Sequence, residues 1–309
     1  MRAIYSHHMD DLRGMLQIEF ELKKMCREHR VDGRTTQSDR MELAATVARD
    51  LDACGYRRFS RQRNCSRKLK DKHVRGLVEH WTGKGLSPGT INNRLAFLRH
   101  VCDWTGRGGV MSKKNADYHN GRRVREATVS KAAYVGPEVL GRIRNRYAQA
   151  SLRLQVAFGL RRKEALMIQP DWADRGNRIV LHDTWTKGGR QREIPLTTPA
   201  QRQALDHAKA VAGKGSMIPP SLSYKGWRDG LWQAACKSIG LTGTHGFRHA
   251  YAQDRYEALA GFPCPVRGGP KRDAMTAEQL QLDEWARSRV SAELGHGRHR
   301  VTNWYLGKG

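Results

Sequence analysis

A basic stretch with few large apolar residues interrupts the chain between residues 108 and 134, and it limits what the chain can fold into. Gly108 and Gly109 begin the stretch, and lysines and arginines recur along it. This composition is typical of an exposed connection rather than of a packed element. We therefore expect two domains joined by a basic linker over residues 108–134, since 309 residues suffice for two hydrophobic cores.

The part of the chain before this stretch has a helical pattern. Residues 37–107 favour a small helical unit, and its clearest helix has a start signal in which Ser87 or Thr90 can act as the cap and Pro88 fits the first turn. Apolar residues follow at helical spacing. Residues 1–36 also carry a helical pattern and are predicted to form an N-terminal helical extension, whose role the sequence leaves open.

The part after the stretch is mixed. Residues 135–309 combine several helical segments with two β-type runs, at residues 178–181 and 192–196. A Gly-Gly pair between the runs is suited to a turn that makes them antiparallel partners. The sequence thus predicts a mainly α fold with a small antiparallel β-sheet, in two domains.

The charge balance points to a polyanionic partner. Lysine and arginine number 56 against 30 aspartates and glutamates, which gives a formal net charge of +26. Nucleic acid is the first expectation and an acidic membrane the second. No apolar run approaches the roughly 20 residues that span a bilayer, and the N-terminus lacks an apolar signal core, so we expect a cytoplasmic protein without a membrane partner.

Six cysteines are scattered along the chain without a Cys-x-x-Cys pair. The spacing argues against a zinc ribbon and provides no disulfide framework. We expect reduced thiols and no metal site.

Four clusters in the second half of the chain contain groups that suit phosphate chemistry. They are Gly159-Leu160-Arg161 with Glu164, Lys187 before the Gly-Gly turn, His245-Gly246-Phe247-Arg248-His249, and Leu294-Gly295-His296 with Tyr305 nine residues after the histidine. Breaking a phosphodiester without a metal requires a nucleophile, cations on the non-bridging oxygens and a proton donor for the leaving oxygen. Arginine suits the oxygens because it makes bidentate contacts and stays charged, whereas tyrosine needs activation because its free pKa lies near ~10.

In this order and spacing, the four clusters resemble the active site of the tyrosine recombinases, the integrases of phages and mobile elements. The resemblance implies that Arg161 and Arg248 clamp the scissile phosphate, although Arg162 competes with Arg161 on the residues alone. It also implies a nucleophile and its helpers: Tyr305 would form a 3′-phosphotyrosyl link, His245 would handle the proton, His296 would bind a non-bridging oxygen, Lys187 would act as general acid, and Glu164 and His249 would have supporting roles.

The resemblance further implies the architecture and the partners. A core-binding (SAM-like) domain over residues 37–107 and a catalytic domain over residues 135–309 would clamp double-stranded DNA in a C shape. Recombination implies a tetramer on DNA, with accessory DNA-bending or directionality proteins as further candidates. Neither a cofactor nor a metal is expected, and a mobile element suggests the bacterial cytoplasm, with association to the nucleoid when DNA is bound.

Outside the catalytic set, DNA contacts are expected from a polar helix face and from the basic stretch, that is, from Thr90, Asn92, Asn93, Arg94, Lys113, Lys114, Arg122 and Arg123. A merely solvated polar face is the alternative for the helix. For the whole chain, the alternatives are a type IB topoisomerase-like enzyme that relaxes DNA, and a catalytically silent DNA-binding regulator.

Overall fold

The computed structural model describes residues 16–30, 34–121, 126–296 and 301–308. It divides into two compact units, residues 1–124 (unit 1) and residues 125–309 (unit 2). Most of the described residues are helical, and the sheet among them has two strands. The prediction of a mainly α, two-domain chain with a small antiparallel sheet is confirmed.

Unit 1 is built from helices around one hydrophobic core. Its α-helices are α1 (Gln17–Glu28), α2 (Arg34–Ala53), α3 (Arg57–Ser60), α4 (Asp71–Gly83) and α5 (Pro88–Trp104), and 3₁₀ turns occur at Ser66–Lys68, Gly108–Val110 and Asn115–Tyr118.

The helix predicted after residue 86 begins as its start signal indicates. Pro88 is the first residue of α5, and the Ser87 hydroxyl accepts a hydrogen bond from the Thr90 backbone N–H at 3.2 Å. The apolar residues at helical spacing, including Leu95 and Leu98, are buried in the core of unit 1. The prediction of this helix and of its Ser cap is confirmed.

The segments on either side of the predicted helical unit also contribute to packing. Ile18 and Leu22 of α1 are buried in the core of unit 1, so the described part of the predicted N-terminal extension is a core helix. Within the predicted linker, Met111 and Tyr118 are buried in the same core, and the Tyr118 hydroxyl donates to Asp71 at 3.1 Å. The first half of that stretch therefore packs against unit 1.

Unit 2 contains the longer helices and the sheet. Its α-helices are α6 (Pro137–Gly141), α7 (Arg146–Phe158), α8 (Arg162–Met167), α9 (Pro170–Ala173), α10 (Pro199–Ala212), α11 (Tyr224–Asp229), α12 (Leu231–Ser238), α13 (His245–Ala260), α14 (Ala277–Glu293) and α15 (Asn303–Leu306). The strands β1 (Arg178–Leu181) and β2 (Arg192–Pro195) pair antiparallel, with Arg178 opposite Pro195 and Leu181 opposite Arg192. The predicted strand pair is confirmed, although the second strand ends one residue earlier than expected.

Gly159 determines how the chain leaves α7. It adopts a left-handed conformation with φ +58°, and a Cβ at this position would lie 2.7 Å from the Tyr251 ring. Only glycine fits both the dihedral angles and the space. The chain therefore leaves α7 in close contact with Tyr251 of α13, and Leu160 enters the core just before α8 begins.

No helix among the described residues is long and apolar enough to cross a membrane.

Candidate active site

Arg248, on the first turn of α13, links three of the clusters predicted from the sequence inside unit 2. Its side chain is 1% exposed. Its guanidinium donates to the Gly159 carbonyl at 2.7 Å, to the Leu294 carbonyl, and to the Tyr305 hydroxyl at 3.3 Å. One buried arginine thus joins the segments that carry three of the four clusters. Burial lowers the pKa of Arg248 to about 10, so it still carries its charge at neutral pH.

Tyr305 lies on the short helix α15, which several contacts hold in place. The side chain of Tyr305 is 4% exposed, and its backbone carbonyl accepts from the Gln253 amide at 3.0 Å. Arg287 donates to the Asn303 side chain at 3.1 Å and to the Gly307 carbonyl at 3.0 Å, which brackets Tyr305 from both sides. The hydroxyl is thus presented to Arg248 by a helix that is fixed at both ends.

Three histidines surround the ring of Tyr305. The ring centroids of His245, His249 and His296 lie 6.0, 4.7 and 5.6 Å from that of Tyr305. One nitrogen of His296, Nε2, lies 3.4 Å from the Arg248 guanidinium. All three histidines of the predicted clusters therefore lie near the candidate nucleophile.

All three histidines are neutral near pH 7 in this environment. Burial and the charge of Arg248, with those of Arg161 and Arg192, lower the pKa of His296 to about 3. Burial and the neighbouring His245 lower the pKa of His249 to about 4. His245 is exposed at its outer edge, but partial desolvation and the charge of Arg248 still lower its pKa. Each ring can therefore both donate and accept a hydrogen bond.

A buried carboxylate organises the arginines of the first cluster. Glu164 is fully buried and accepts from the Arg161 backbone N–H at 2.7 Å and from the Arg161 guanidinium at 2.8 Å. Arg192 on β2 donates to both carboxylate oxygens, at 2.6 and 2.8 Å. Burial by itself would raise the pKa of Glu164, but the hydrogen bonds and charge of Arg192, followed by the charges of Arg161 and Arg248, outweigh it and hold the pKa at about 2.

The two arginines expected to clamp a phosphate differ in exposure. The Arg161 side chain is 21% exposed and is fixed at its base by Glu164. Arg248 is buried beneath the Tyr305 hydroxyl. Their charges are close enough for Arg161 to lower the pKa of Arg248. Arg162, the competing candidate, lies on α8 with its guanidinium 5.9 Å from the Trp232 ring centroid, away from this cluster's hydrogen bonds.

Lys187 is the member of the predicted set that the structure does not join to the others. It is exposed in the loop between β1 and β2. Thr186 closes this loop, because its hydroxyl lies 2.8 Å from the Arg190 carbonyl and accepts from the Arg190 N–H at 3.0 Å. Within the described part of the chain, no hydrogen bond or ion pair connects Lys187 to the cluster around Tyr305.

The residues predicted to touch DNA from α5 fall into two groups. Thr90 and Asn93 are exposed, and Asn92 accepts a hydrogen bond from Asn120 at 2.7 Å. Arg94 is engaged inside unit 1, because its guanidinium pairs with Asp50 at 2.9 Å. It also lies 5.0 Å from the Trp81 ring centroid, so its charge is already used within the fold.

From the basic stretch, Lys113 and Lys114 are exposed. Arg122 and Arg123 lie outside the described residues. The prediction of DNA contacts from this stretch stays a prediction.

Sequence reasoning missed several residues that shape the site. Arg192 was placed only as a strand residue, and nothing local in so basic a sequence distinguishes it. Gln253 and Arg287 hold α15 from α13 and α14. Lys131 is exposed near the histidines, where its charge lowers the pKa of His245 and His249, and its ammonium lies 4.6 Å from the Trp304 ring centroid. All four depend on contacts distant in sequence.

Among the described residues, no group of three or more histidine, cysteine, aspartate or glutamate side chains is placed to hold a metal ion.

Two protein families match most of this chain. A family described as the N-terminal domain of phage integrases matches residues 15–111, and a family described as integrase matches residues 121–254. The chain belongs to the tyrosine recombinases. The matched part of this recombinase ends at Asp254, so the assignments of His296 and Tyr305 depend on the motif and on the geometry. No curated protein sequence matches the chain.

Solved structures of recombinases share the fold at low sequence identity. The Tn1549 transposon integrase in complex with circular intermediate DNA is 17% identical, with a TM-score of 0.51 over 94% of this chain and 95% of that one. A lambda integrase dimer bound to a COC′ core site is 14% identical, with a TM-score of 0.58 over 91% and 73%. A lambda integrase tetramer bound to a Holliday junction is 14% identical, with a TM-score of 0.54 over 96% and 81%.

Proposed function

We propose that this tyrosine recombinase cuts and rejoins double-stranded DNA at specific sites through a 3′-phosphotyrosyl intermediate formed by Tyr305. The observation that carries the proposal is the contact between the Tyr305 hydroxyl and the buried Arg248, 3.3 Å apart, with three neutral histidines around the ring. A tyrosine beside a buried guanidinium is placed to form an ester with a phosphate that the same guanidinium binds.

The proposed cleavage step uses groups that the cluster holds in fixed positions. The Tyr305 oxygen attacks phosphorus, the bond to the 5′-oxygen breaks, and the 5′-oxygen leaves as a hydroxyl. Arg161 and Arg248 neutralise the non-bridging oxygens as charge builds on them. His296, next to Arg248, donates a hydrogen bond to one of these oxygens, and His245 accepts the phenolic proton because it is neutral near pH 7.

The leaving oxygen needs a proton, and Lys187 is the proposed donor. Its loop is closed at the base by Thr186 and Arg190 and exposes the ammonium to solvent, where DNA would lie. Rejoining is the reverse of cleavage, because the phosphotyrosyl ester keeps the energy of the broken bond. Glu164 and His249 support the cluster by fixing Arg161 and by packing against the Tyr305 ring.

We further propose a mobile-element integrase that exchanges strands within a tetramer on DNA. The solved structures with this fold include a transposon integrase with circular intermediate DNA and a phage integrase tetramer on a Holliday junction. Exchange between two duplexes requires four cleavages, which a tetramer supplies. Accessory DNA-bending or directionality proteins, and a bacterial cytoplasmic location at the nucleoid, belong to the same proposal.

Covalent trapping tests the chemistry. The protein is mixed with labelled, nicked duplexes from the ends of the element that encodes it, in the presence of chelator, and resolved on a denaturing gel. We expect an SDS-resistant adduct that disappears in Tyr305→Phe while DNA affinity stays almost unchanged. Tyr134→Phe is the matched control, because this exposed tyrosine of unit 2 hydrogen-bonds only Asp254, and it should keep the adduct.

The outcomes separate the alternatives. Binding without an adduct on every duplex would indicate a silent DNA-binding regulator and contradict the proposal. Relaxation of supercoiled plasmid of arbitrary sequence by a monomer would indicate a type IB topoisomerase-like enzyme. Loss of both binding and adduct in Tyr305→Phe would show that the tyrosine is structural.

A further inference from the structure

An unusually basic segment of unit 1, residues 57–72, is not part of the catalytic cluster or of the predicted DNA contacts. It contains eight lysines and arginines and one acidic residue, Asp71. All eight basic residues are exposed. Asp71 does not neutralise them, because its carboxylate pairs with Arg75 at 2.6 Å and accepts from Tyr118 at 3.1 Å.

The backbone of this segment is firmly anchored, although its surface is charged. Ser60, Cys65 and Leu69 are buried at intervals along it. Glu21 of α1 accepts from the Ser66 backbone N–H at 2.9 Å and from the Ser66 hydroxyl at 2.6 Å. The basic side chains therefore project from a fixed scaffold rather than from a loose loop.

Seven of the eight basic side chains of the segment lack an ion-pair or hydrogen-bond partner among the described residues. Arg57 has an ion pair, with Asp52 at 3.6 Å. For the other seven, no ion pair or side-chain hydrogen bond occurs among the described residues. Elsewhere in unit 1 basic residues are commonly paired, as Lys23 is with Glu19 at 2.6 Å and Lys84 with Asp50 at 3.1 Å.

Unpaired like charges on a fixed scaffold repel one another, and this repulsion destabilises the fold unless an anionic partner binds. A polyanion with closely spaced charges relieves it, and a duplex presents one phosphate charge per roughly 1.7 Å of its axis. We propose that residues 57–72 form a backbone-binding surface of unit 1 that contacts the phosphates of duplex DNA irrespective of sequence. This proposal rests on the proposed function, because it takes DNA as the partner.

Salt dependence of binding tests the surface in the full chain. Arg58, Arg61 and Arg63 are changed to Gln together, and binding to a duplex of arbitrary sequence is measured from about 50 to about 200 mM salt. Each lost phosphate contact lowers the slope of log K against log salt by about 0.9, so we expect the slope to fall by about 2 to 3. The affinity should fall by a similar factor for specific and arbitrary duplexes, because the contacts carry no base readout.

The matched control removes the same charge from the helices of the same unit. Lys24, Arg27 and Arg49 are exposed on α1 and α2, and the triple change to Gln should leave the slope nearly unchanged. A second variant, with Arg67, Lys68 and Lys72 changed to Gln, repeats the test on the other half of the segment. Circular dichroism verifies that each variant is folded.

The results distinguish this inference from the proposed function. A wild-type slope in both segment variants would overturn the inference, and so would an equal fall in the control, because the effect would then reflect net charge alone. Neither result would touch the proposed chemistry, which is read from the Tyr305 adduct. Failure of the wild-type protein to bind any duplex would instead overturn both.

Discussion

Changing Glu164 to Gln removes the negative charge that pairs with two arginines of the site, Arg161 and Arg192. The carboxylate is fully buried and accepts hydrogen bonds from Arg161 and from both ends of the Arg192 guanidinium. A pKa lowered from 4.5 to about 2 corresponds to roughly 3 kcal/mol of stability. The cost of breaking a buried ion pair, about 3 to 5 kcal/mol, is of the same size. We expect Glu164→Gln to lower the free energy of unfolding of unit 2 by about 3 kcal/mol at pH 7.

The pH dependence gives this prediction its sign. The folded-state pKa is lower than the unfolded one, so the stabilisation is complete above about pH 4.5 and is lost as the pH falls through about 2. A protonated Glu164 resembles glutamine in charge. The difference in stability between wild type and variant should therefore be constant at neutral pH and should shrink below pH 4.5.

Urea denaturation followed by tryptophan emission measures this difference. Of the eight tryptophans, Trp81 and Trp104 belong to unit 1 and the rest to unit 2, so the emission reports mainly on unit 2. Glu193→Gln is the control, because this carboxylate on β2 has a 54% exposed side chain paired with Arg178. An exposed pair contributes roughly 0 to 1 kcal/mol, and the control should change little. A difference for Glu164→Gln below about 1 kcal/mol at pH 7, or one that persists unchanged at low pH, would refute the reasoning.

Three further changes test other parts of the structure. Gly159→Ala should destabilise unit 2 by about 2 kcal/mol or more, because the new Cβ would lie 2.7 Å from the Tyr251 ring and alanine disfavours the positive φ. Gly261→Ala, where φ is +79° and the space is open, should cost only about 1 kcal/mol in the same denaturation experiment. Equal costs would contradict the packing argument. Arg287→Lys should slow single-turnover adduct formation at least about tenfold and leave DNA affinity unchanged, because α15 loses its hydrogen bonds at Asn303 and Gly307. Arg289 is exposed, and Arg289→Lys should not slow adduct formation. Equal rates for the two variants would show that Arg287 does not position the nucleophile. Ser87→Ala should lower the stability of unit 1 by about 1 kcal/mol through loss of the α5 cap, read from labelling of the buried Cys102 thiol, and unaltered labelling would oppose that role.

Sequence patterns predicted the structural features that depend only on neighbouring residues. The cap of α5 needs only Ser87 and its neighbours, and the strand pair needs two β-type runs with a turn between them. The catalytic candidates were found because their residue types and order match a reaction, and the fold then brought Arg248, His296 and Tyr305 together. That convergence was expected only from the family resemblance, since no spacing along the chain reports a contact between residues 248 and 305.

Sequence patterns did not reveal the features that depend on contacts between residues distant in the chain. The DNA contact predicted for Arg94 stays a prediction, but no pattern in the sequence indicated that Asp50 and Trp81 on two other helices contact its guanidinium. The stretch over residues 108–134 was predicted as an exposed linker, but Met111 and Tyr118 within it are buried in unit 1. Arg192 looked like an ordinary strand residue, although it is the main partner of Glu164. In a chain with 56 basic residues, the pairing of each arginine is visible only in three dimensions.

The distribution of charge in the cluster is compatible with the proposed cleavage and rejoining at one site. Glu164 neutralises part of the charge of Arg161, Arg192 and Arg248, which leaves a net positive charge near the Tyr305 hydroxyl. His249 and His296, with pKa values of about 4 and 3, add no charge near pH 7. The positive charge is thus carried by guanidinium groups that stay charged at neutral pH, while the histidines remain neutral there. A phosphate bound there would offset the arginine charges that lower the histidine pKa values, so binding itself makes each histidine a better proton acceptor. In the proposed reaction, a bound phosphate would therefore favour proton transfer to the histidines, and the same linkage would apply to cleavage and to rejoining.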